Sequence, residues 1–547
     1  MKKCLSILLA AVMAFSLCAC GGSGTKTETA AAGSETAAAE DGAAEAAADG
    51  VAADSDITIL DYSDISTLYP LDIGTNVDMF PVFCFYDPLL RMDPDGNYIW
   101  MLATGCDRSD DGLEYVFTLR EGVTFSDGTP WNAEACKANL DVMADQSNGY
   151  RSQFMYECID SVEAVDDYTV KVTLSQVYAP FLNALAIEPA AMVSPALLAQ
   201  GDEVLASTVA GTGQYTLVER KTGEYTKMAL NRDWWGYEAG IVEKDYGFNT
   251  ITVKPVSEEA TRVAMLMSGE ADIIMNLTAN NINTVKAQNM NVVMKSGAMM
   301  SYLYLNCQKE VLSDVRVRKA IAMAIDLDAL NNVVYGGDYE VATSPLMSCM
   351  QFYKAQTPYE YNVEAAKELL AEAGYGDGLT LVCWEENDTT DIQRGEFIQQ
   401  QLEQIGITLE IYPQEGGFLT DNVNGFSGDP KDAEFDCYIR GYGVDTADAD
   451  EAIGRFASNA FPPMGANYSF WCNEEFDKAI EEGAGTIDTD VRAAAYEKAQ
   501  EIFWDEVPSV CLLSVTYNAG YNGRVEGLDF GTSGLLYLPA AKYVAGE

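Results

Sequence analysis

The 547-residue chain contains no histidine. That absence removes histidine-based catalytic triads, HExxH zinc sites, and histidine-ligated haem and nickel. Positive charge is also scarce: 33 Lys and Arg stand against 84 Asp and Glu, a formal charge of 33 − 84 = −51. Phosphate neutralisation needs a basic excess, so no nucleic-acid partner is expected. Close cysteine pairs are missing too. Ten of the 13 cysteines lie beyond residue 20, and no two of those ten fall within 20 residues of each other. Structural zinc sites usually carry at least one tight pair, so this spacing argues against a metal site and against a disulfide framework. Cys383, between Val382 and Trp384, reads as a small core hydrophobe, and the ten are expected to be mostly reduced thiols. Oxidising secretion selects against so many, which points to an anaerobic source. No cofactor is expected.

Past the amino terminus no apolar stretch reaches 18 residues, the length that spans a bilayer. What the amino terminus does contain decides the compartment. Lys2 and Lys3 precede an apolar run over 5–17, too short to span and typical of a signal peptide. Leu17-Cys18-Ala19-Cys20 then resembles the lipobox of bacterial lipoproteins. The resemblance implies a signal peptide over 1–20, a lipid on Cys20, and an extracytoplasmic location on the outer face of the cytoplasmic membrane. Residues 21–54 lack aromatics and hold one large aliphatic, Val51, so they cannot offset the entropy of ordering and are expected to form a disordered acidic tether. A flexible chain of these 34 residues reaches roughly 30 Å.

With 48% hydrophobic residues, the remainder has enough apolar side chains for a core, and its length suggests about three domains. Strand-like runs at 57–60, 115–119 and 170–174 are joined through turn residues, and the stretch 85–205 reads as hairpins. Farther on, an apolar extended segment at 379–384 precedes a helical face of Ile398, Leu402 and Ile405. Gly406 closes that helix and the alternation Ile407, Leu409, Ile411 follows, which makes a βαβ unit. Helices are expected over 314–330 and over 363–373, the second capped by Asn362 and stopped by Gly374. The architecture predicted is α/β with an added mixed domain.

A series of short motifs occurs in a fixed order. The run 109–128 (SDDGLEYVFTLREGVTFSDG) comes first, then Gly211-Thr212-Gly213-Gln214-Tyr215, Asn231-Arg232-Asp233-Trp234-Trp235 and Gly269-Glu270-Ala271-Asp272. Leu305-Asn306 leads into 314–321 (DVRVRKAI) with Asp326 beyond, and Ala373-Gly374-Tyr375 and Val525-Glu526-Gly527 complete the set. Together these resemble the family 5 extracellular solute-binding proteins of ABC importers, the peptide and nickel type, over about residues 57–530. The resemblance implies a two-lobed periplasmic-binding-protein-like fold of type II, which carries an extra mixed α/β domain and closes about a hinge. Lobe one would comprise 55–88, 206–300 and 516–543, the extra domain 89–205, and lobe two 301–515. The chain would cross between lobes near 300 and 515, where few strands absorb the motion.

The same resemblance implies a site. In peptide-binding members a strand ends in an acidic residue that holds the ligand's ammonium, with an aromatic three positions earlier; Tyr442 and Asp445 match that spacing. Downstream, where the family often has Asp-Pro, this chain has Asp448-Ala449. The competing reading is a solvated acidic loop of Asp445, Asp448, Asp450 and Glu451. Tyr302 and Tyr304 lie beside the first crossing and Tyr517 beside the second, while Trp384, Glu385 and Asn387 follow a strand end where α/β ligand sites gather. Arg440 is five residues from Asp445, an odd offset that places it on the other face of a regular strand. No catalytic residues and no metal ligands are expected. The function implied is a non-enzymatic, monomeric lipoprotein that captures oligopeptides or dipeptides and delivers them to an ABC permease and ATPase complex. The alternatives are the same fold binding an oligosaccharide or another solute, a sensory receptor, and an extracellular carboxylate-based hydrolase.

Overall fold

The computed structural model describes residues 51, 52, 54–531 and 533–544. The signal segment, Cys20 and nearly all of the tether lie outside the described residues.

An eleven-stranded sheet runs through the molecule. Its centre is two long antiparallel strands, Asn291–Leu305 and Ser509–Tyr521. On one flank the end of Ser509–Tyr521 pairs with Ile273–Met275, and Asp56–Asp61, Thr250–Pro255, Tyr225–Leu230 and Tyr215–Lys221 follow outward. On the other, Asn291–Leu305 pairs with Cys437–Gly443, and Leu379–Glu386 and Ile407–Gln414 follow. Asp56–Asp61 is parallel to both of its neighbours, and its Ile57, Ile59 and Leu60 are buried. Burial on both faces is what a parallel strand requires.

The βαβ unit forms as the periodicity indicates: Leu379–Glu386 and Ile407–Gln414 are parallel, joined by the helix Thr389–Glu403. Asp388 caps that helix by accepting from the N–H groups of Thr390 and Asp391, and Gly406 turns the chain at φ +85°. Asn362 caps Val363–Glu372 in the same way. The segment expected as one helix over 314–330 is instead two, Val315–Ala324 and Leu327–Val334. Asp326 breaks it, taking an extended backbone and accepting from the Ala329 N–H at 2.9 Å as the cap of the second helix.

A separate antiparallel sheet orders Ala103–Arg108, Glu114–Leu119, Thr169–Leu174 and Ile159–Asp166, with the helix Ala133–Ala144 against it. Tyr115, Phe117 and Leu119 alternate inward and join a core continuous with the Asp56–Asp61 half of the main sheet. The other half has two cores, one on each face. Period-two alternation sorts the central strand between them: Tyr302 and Tyr304 enter one core, Leu303 and Leu305 the other. All ten cysteines of the described residues are free, six of them buried.

The long strand pair is irregular at its middle. Ser296 pairs with Thr516, but the register shifts before Met300 meets Ser514 and again before Tyr302 meets Cys511. Gly297 lies in the first gap, directly against the ring of Tyr517, with no space for a Cβ. Gly297→Val is therefore expected to lower stability by about 1–3 kcal/mol through overpacking. Thermal melting checks it, and adding Tyr517→Ala should recover most of the loss; a variant melting with the wild type would contradict the packing.

Candidate functional site

The strand Cys437–Gly443 ends in glycine, and the following residues turn sharply into the short helix Ala449–Ile453. Its acidic residues hold that turn. Glu451 accepts from the backbone N–H groups of Asp445 and Thr446, at 3.0 and 2.9 Å, and from the Thr446 hydroxyl at 2.7 Å. Asp448 caps the helix and forms a buried bidentate pair with Arg492 at 2.7 and 3.0 Å. Asp450 accepts from the Tyr496 hydroxyl. Three of the four acids are thus committed to structure, and the loop is not simply a solvated acidic face.

Asp445 differs. No donor among the described residues reaches its carboxylate, and burial alone pushes its pKa up. It lines a cavity of about 290 Å³ together with Thr75, Asn76, Arg151 and Glu188. It also lines a smaller adjoining space of about 30 Å³ with Glu188 and Arg91. Thr75 and Asn76 also line a third cavity of about 360 Å³, which contains Asp61, Asn276 and Tyr517. The first two cavities lie at the seam between the two halves of the main sheet, and the third continues from Thr75 and Asn76 into the first half. Asp445 reaches the seam from one side, and the remaining wall comes from the other half and the four-stranded unit. The two sides touch beyond the cavity, where Asn183 donates to the Thr446 carbonyl at 3.0 Å.

Glu188 was not evident from the sequence motifs. It is 8% exposed, and burial pushes its carboxyl up to about 7, opposed by its own backbone N–H and by Arg91 and reinforced by Asp445. One signal pointed to it: Glu188 is the single charged residue in the apolar stretch 181–193. Asp61, at the end of its parallel strand, is pushed up to about 6 by burial, against the N–H of Tyr62 and the charge of Arg262.

Of the other residues expected at the site, Tyr517 lines the 360 Å³ cavity. Tyr302 and Tyr304 do not reach the seam. They are 1% and 0% exposed, with Tyr442 they surround the Arg455 guanidinium, and strand alternation places them in the core. Tyr442 stacks closest, 3.6 Å from ring centre to guanidinium carbon, and is a support three residues from Asp445 that lines none of the three cavities. Trp384 is packed between Phe418 and Phe435. Asn387 is exposed and donates to Glu415 at 2.9 Å. Glu385 is fully buried against Gly395. Arg440 donates to the Tyr438 hydroxyl. An apolar cavity of about 340 Å³ under Tyr359 and Trp504 lies within the second half and includes none of the seam residues.

A cleft between two α/β halves joined by two strands, with an unpaired carboxylate in its wall, defines a two-lobed periplasmic-binding-protein fold. The family model for bacterial extracellular solute-binding proteins, family 5 (middle), matches residues 97–462, and the chain belongs to that family of ABC-importer solute receptors. It is 32% identical over 478 residues to the glutathione-binding protein GsiB of Salmonella typhi, covering 87% of this chain and 92% of that one. Among solved structures it resembles HbpA2 from Haemophilus parasuis with a TM-score of 0.80 at 26% identity, covering 90% of this chain and 100% of the other. It also resembles the periplasmic binding protein DppA from Helicobacter pylori in complex with the peptide STSA, with a TM-score of 0.70 at 26% identity over 89% and 98% of the two chains.

The electrostatics of Glu188 give a stability prediction. Its carboxyl titrates at about 7 when folded and near 4.5 when exposed. Between those values the folded state holds a proton that the unfolded state has released, so stability falls as pH rises, and the loss is complete above pH 7 at on the order of 3 kcal/mol. Glu188→Gln should therefore melt about 3 °C above the ligand-free wild type at pH 8 and coincide with it at pH 4. Equal melting temperatures at both pH values would show that the carboxyl is not held out of water.

Proposed function

We propose that this solute-binding protein captures short peptides with a free amino terminus between two lobes and presents them to its ABC permease. The observation that carries the reading is Asp445: a half-buried carboxylate at the wall of a cavity, with no donor among the described residues. A carboxylate taken out of water is retained only if something pairs with it, and an ammonium group is the matching partner. The lobes we assign are 55–88 with 206–300 and 516–543 for the first, 89–205 for the attached domain, and 301–515 for the second. We assign the hinge to the strand pair Asn291–Leu305 and Ser509–Tyr521, and the register shifts between Ser296 and Tyr302 support that choice. The names of the relatives support the ligand class, one being a glutathione-binding protein and one being bound to a peptide. The adjoining cavities, at about 290 and 360 Å³, lie in the range for small-ligand sites.

Losing one partner of a desolvated, hydrogen-bonded charge pair costs about 2–5 kcal/mol of binding, roughly thirty-fold to several thousand-fold in affinity. Asp445→Ala should lose that much affinity for trialanine or reduced glutathione in calorimetry while keeping its fold, and N-acetylation of the peptide should do the same to the wild type. Equal affinity for free and acetylated peptide, or heat from oligosaccharides alone, would reject the reading.

We further assign lipid attachment to Cys20, with 21–54 as the tether that holds the receptor off the membrane. Cys20→Ala should appear in the medium or as uncleaved precursor when cells are fractionated. Normal processing with unchanged membrane retention would exclude the anchor.

A further inference from the structure

We propose that Glu188 is a second anchor for the ligand's ammonium group, so that one amine is clamped between Glu188 on the attached domain and Asp445 on the opposite lobe. The inference rests on the peptide reading above and adds a residue and a specificity to it. Both acids line the same two adjoining cavities, one from each side of the seam. Among the described residues the Asp445 carboxylate receives no hydrogen bond, the Glu188 carboxylate receives one only from its own backbone N–H, and neither forms an ion pair with a side chain. Glu188 is more than nine-tenths buried, yet it faces a cavity.

The charged groups around Glu188 do not satisfy it. Arg91 donates to the carbonyls of Phe83 and Tyr86 at 2.8 and 2.5 Å and lies 3.4 Å from Asp87, which occupies its guanidinium. Arg151 is exposed at the outer wall of the larger cavity, and Asp93 lines the smaller one and adds negative charge. The phenol of Tyr156, also near both acids, is itself pushed well up by burial. Three acids, Glu188, Asp445 and Asp93, line these spaces, while Arg91 is shared with Asp87 and Arg151 stands at the exposed wall, so the pair of acids has no basic side chain of its own among the described residues. A primary ammonium brings one positive charge and three N–H donors, so one group has donors for two carboxylates. An acetylated or otherwise neutral terminus offers neither. Because the two acids belong to opposite sides of the cleft, the same amine that is recognised also ties those sides together.

A protonated Glu188 must ionise to accept from the incoming ammonium, so binding near pH 7 releases part of a proton to the buffer. The test is calorimetry of trialanine and reduced glutathione, with their N-acetylated forms, at pH 7 in two buffers of different ionisation enthalpy. Glu188→Gln is expected to weaken the free-amine peptide about ten-fold or more and to leave the acetylated peptide within two-fold of wild type. The proton release should fall in the same variant. Asp445→Asn combined with Glu188→Gln should lose less than the product of the two single losses, because both acids grip one group. A Glu188→Gln variant that binds free amines as wild type does, while Asp445→Asn is weakened, overturns the clamp and leaves the Asp445 anchor standing. A wild type that binds neither peptide removes the peptide reading and the clamp together.

Discussion

The pairing of Asn291–Leu305 with Ser509–Tyr521 is the constraint on which the rest of the molecule depends. These two strands make one sheet out of two halves: Ile273–Met275 adds to one end of the pair, and Cys437–Gly443 adds to the other. The halves can differ in orientation only as far as this ribbon bends. The ribbon is regular on both sides of Met300 and irregular beside it, where Gly297 leaves room for the Tyr517 ring. Register shifts concentrate twist and bending where they occur. A cleft, its depth and its ability to close therefore follow from a few residues of strand geometry. Asp445 sits two residues past the end of Cys437–Gly443, the strand that flanks the ribbon, so bending of the ribbon moves it relative to the opposite wall.

Buried charge separates structural residues from the proposed binding residues. Arg318 is nearly inaccessible, but its guanidinium reaches the carbonyls of Leu312, Ser313, Glu506 and Val507 as well as the Glu506 carboxylate. Arg492 and Asp448 satisfy each other. Such groups offset their desolvation locally and fix packing. Among the described residues no side chain pairs with Asp445 or Glu188, the latter accepting only from its own backbone N–H, and each faces a cavity. Burial without a partner is not a sufficient marker. Glu385 also lacks a donor for both oxygens, but it faces Gly395 and the Arg394–Asp391 pair, and Arg455 is enclosed by aromatic rings. The combination of an unpaired acid and adjoining space distinguishes the seam.

Much of the architecture was legible because it rests on local chemistry. Alternation identified Asp56–Asp61 and Glu114–Leu119, and helical spacing with Asn362 and Gly406 delimited the later helices. The ordered motifs indicated the family. The failure at 314–330 has the same local origin: Asp326 reads as one polar position in a helix until its side chain is seen capping a new one. Site residues were less legible because side-chain direction and long-range approach decide them. Tyr302 and Tyr304 are near the crossing in sequence, but every second position of that strand points into one core. Glu188 is 257 positions from Asp445, and only the packing of the segment around Asn183 against the Thr446 turn brings the two together. A lone acid within an apolar stretch was the sole local trace of it.

If Glu188 and Asp445 clamp one amine as proposed, closure acquires an electrostatic sign. In the ligand-free protein, bringing the halves together moves two carboxylates toward one another while removing water from both. Desolvation and like-charge repulsion then act in the same direction, against the closed form. Protonation of Glu188, whose carboxyl titrates at about 7, relieves part of that opposition without providing an attraction. An ammonium placed between the acids reverses the sign: each carboxylate gains a cation and a donor, and both gains are complete only when the halves meet. A ligand shifts a two-state equilibrium only by its differential affinity for the two states, and contacts made from both sides are the direct source of such a difference. On the proposed clamp, the stability given up at Glu188 and Asp445 would be recovered in the liganded, closed receptor, the form that a permease must distinguish from the empty one.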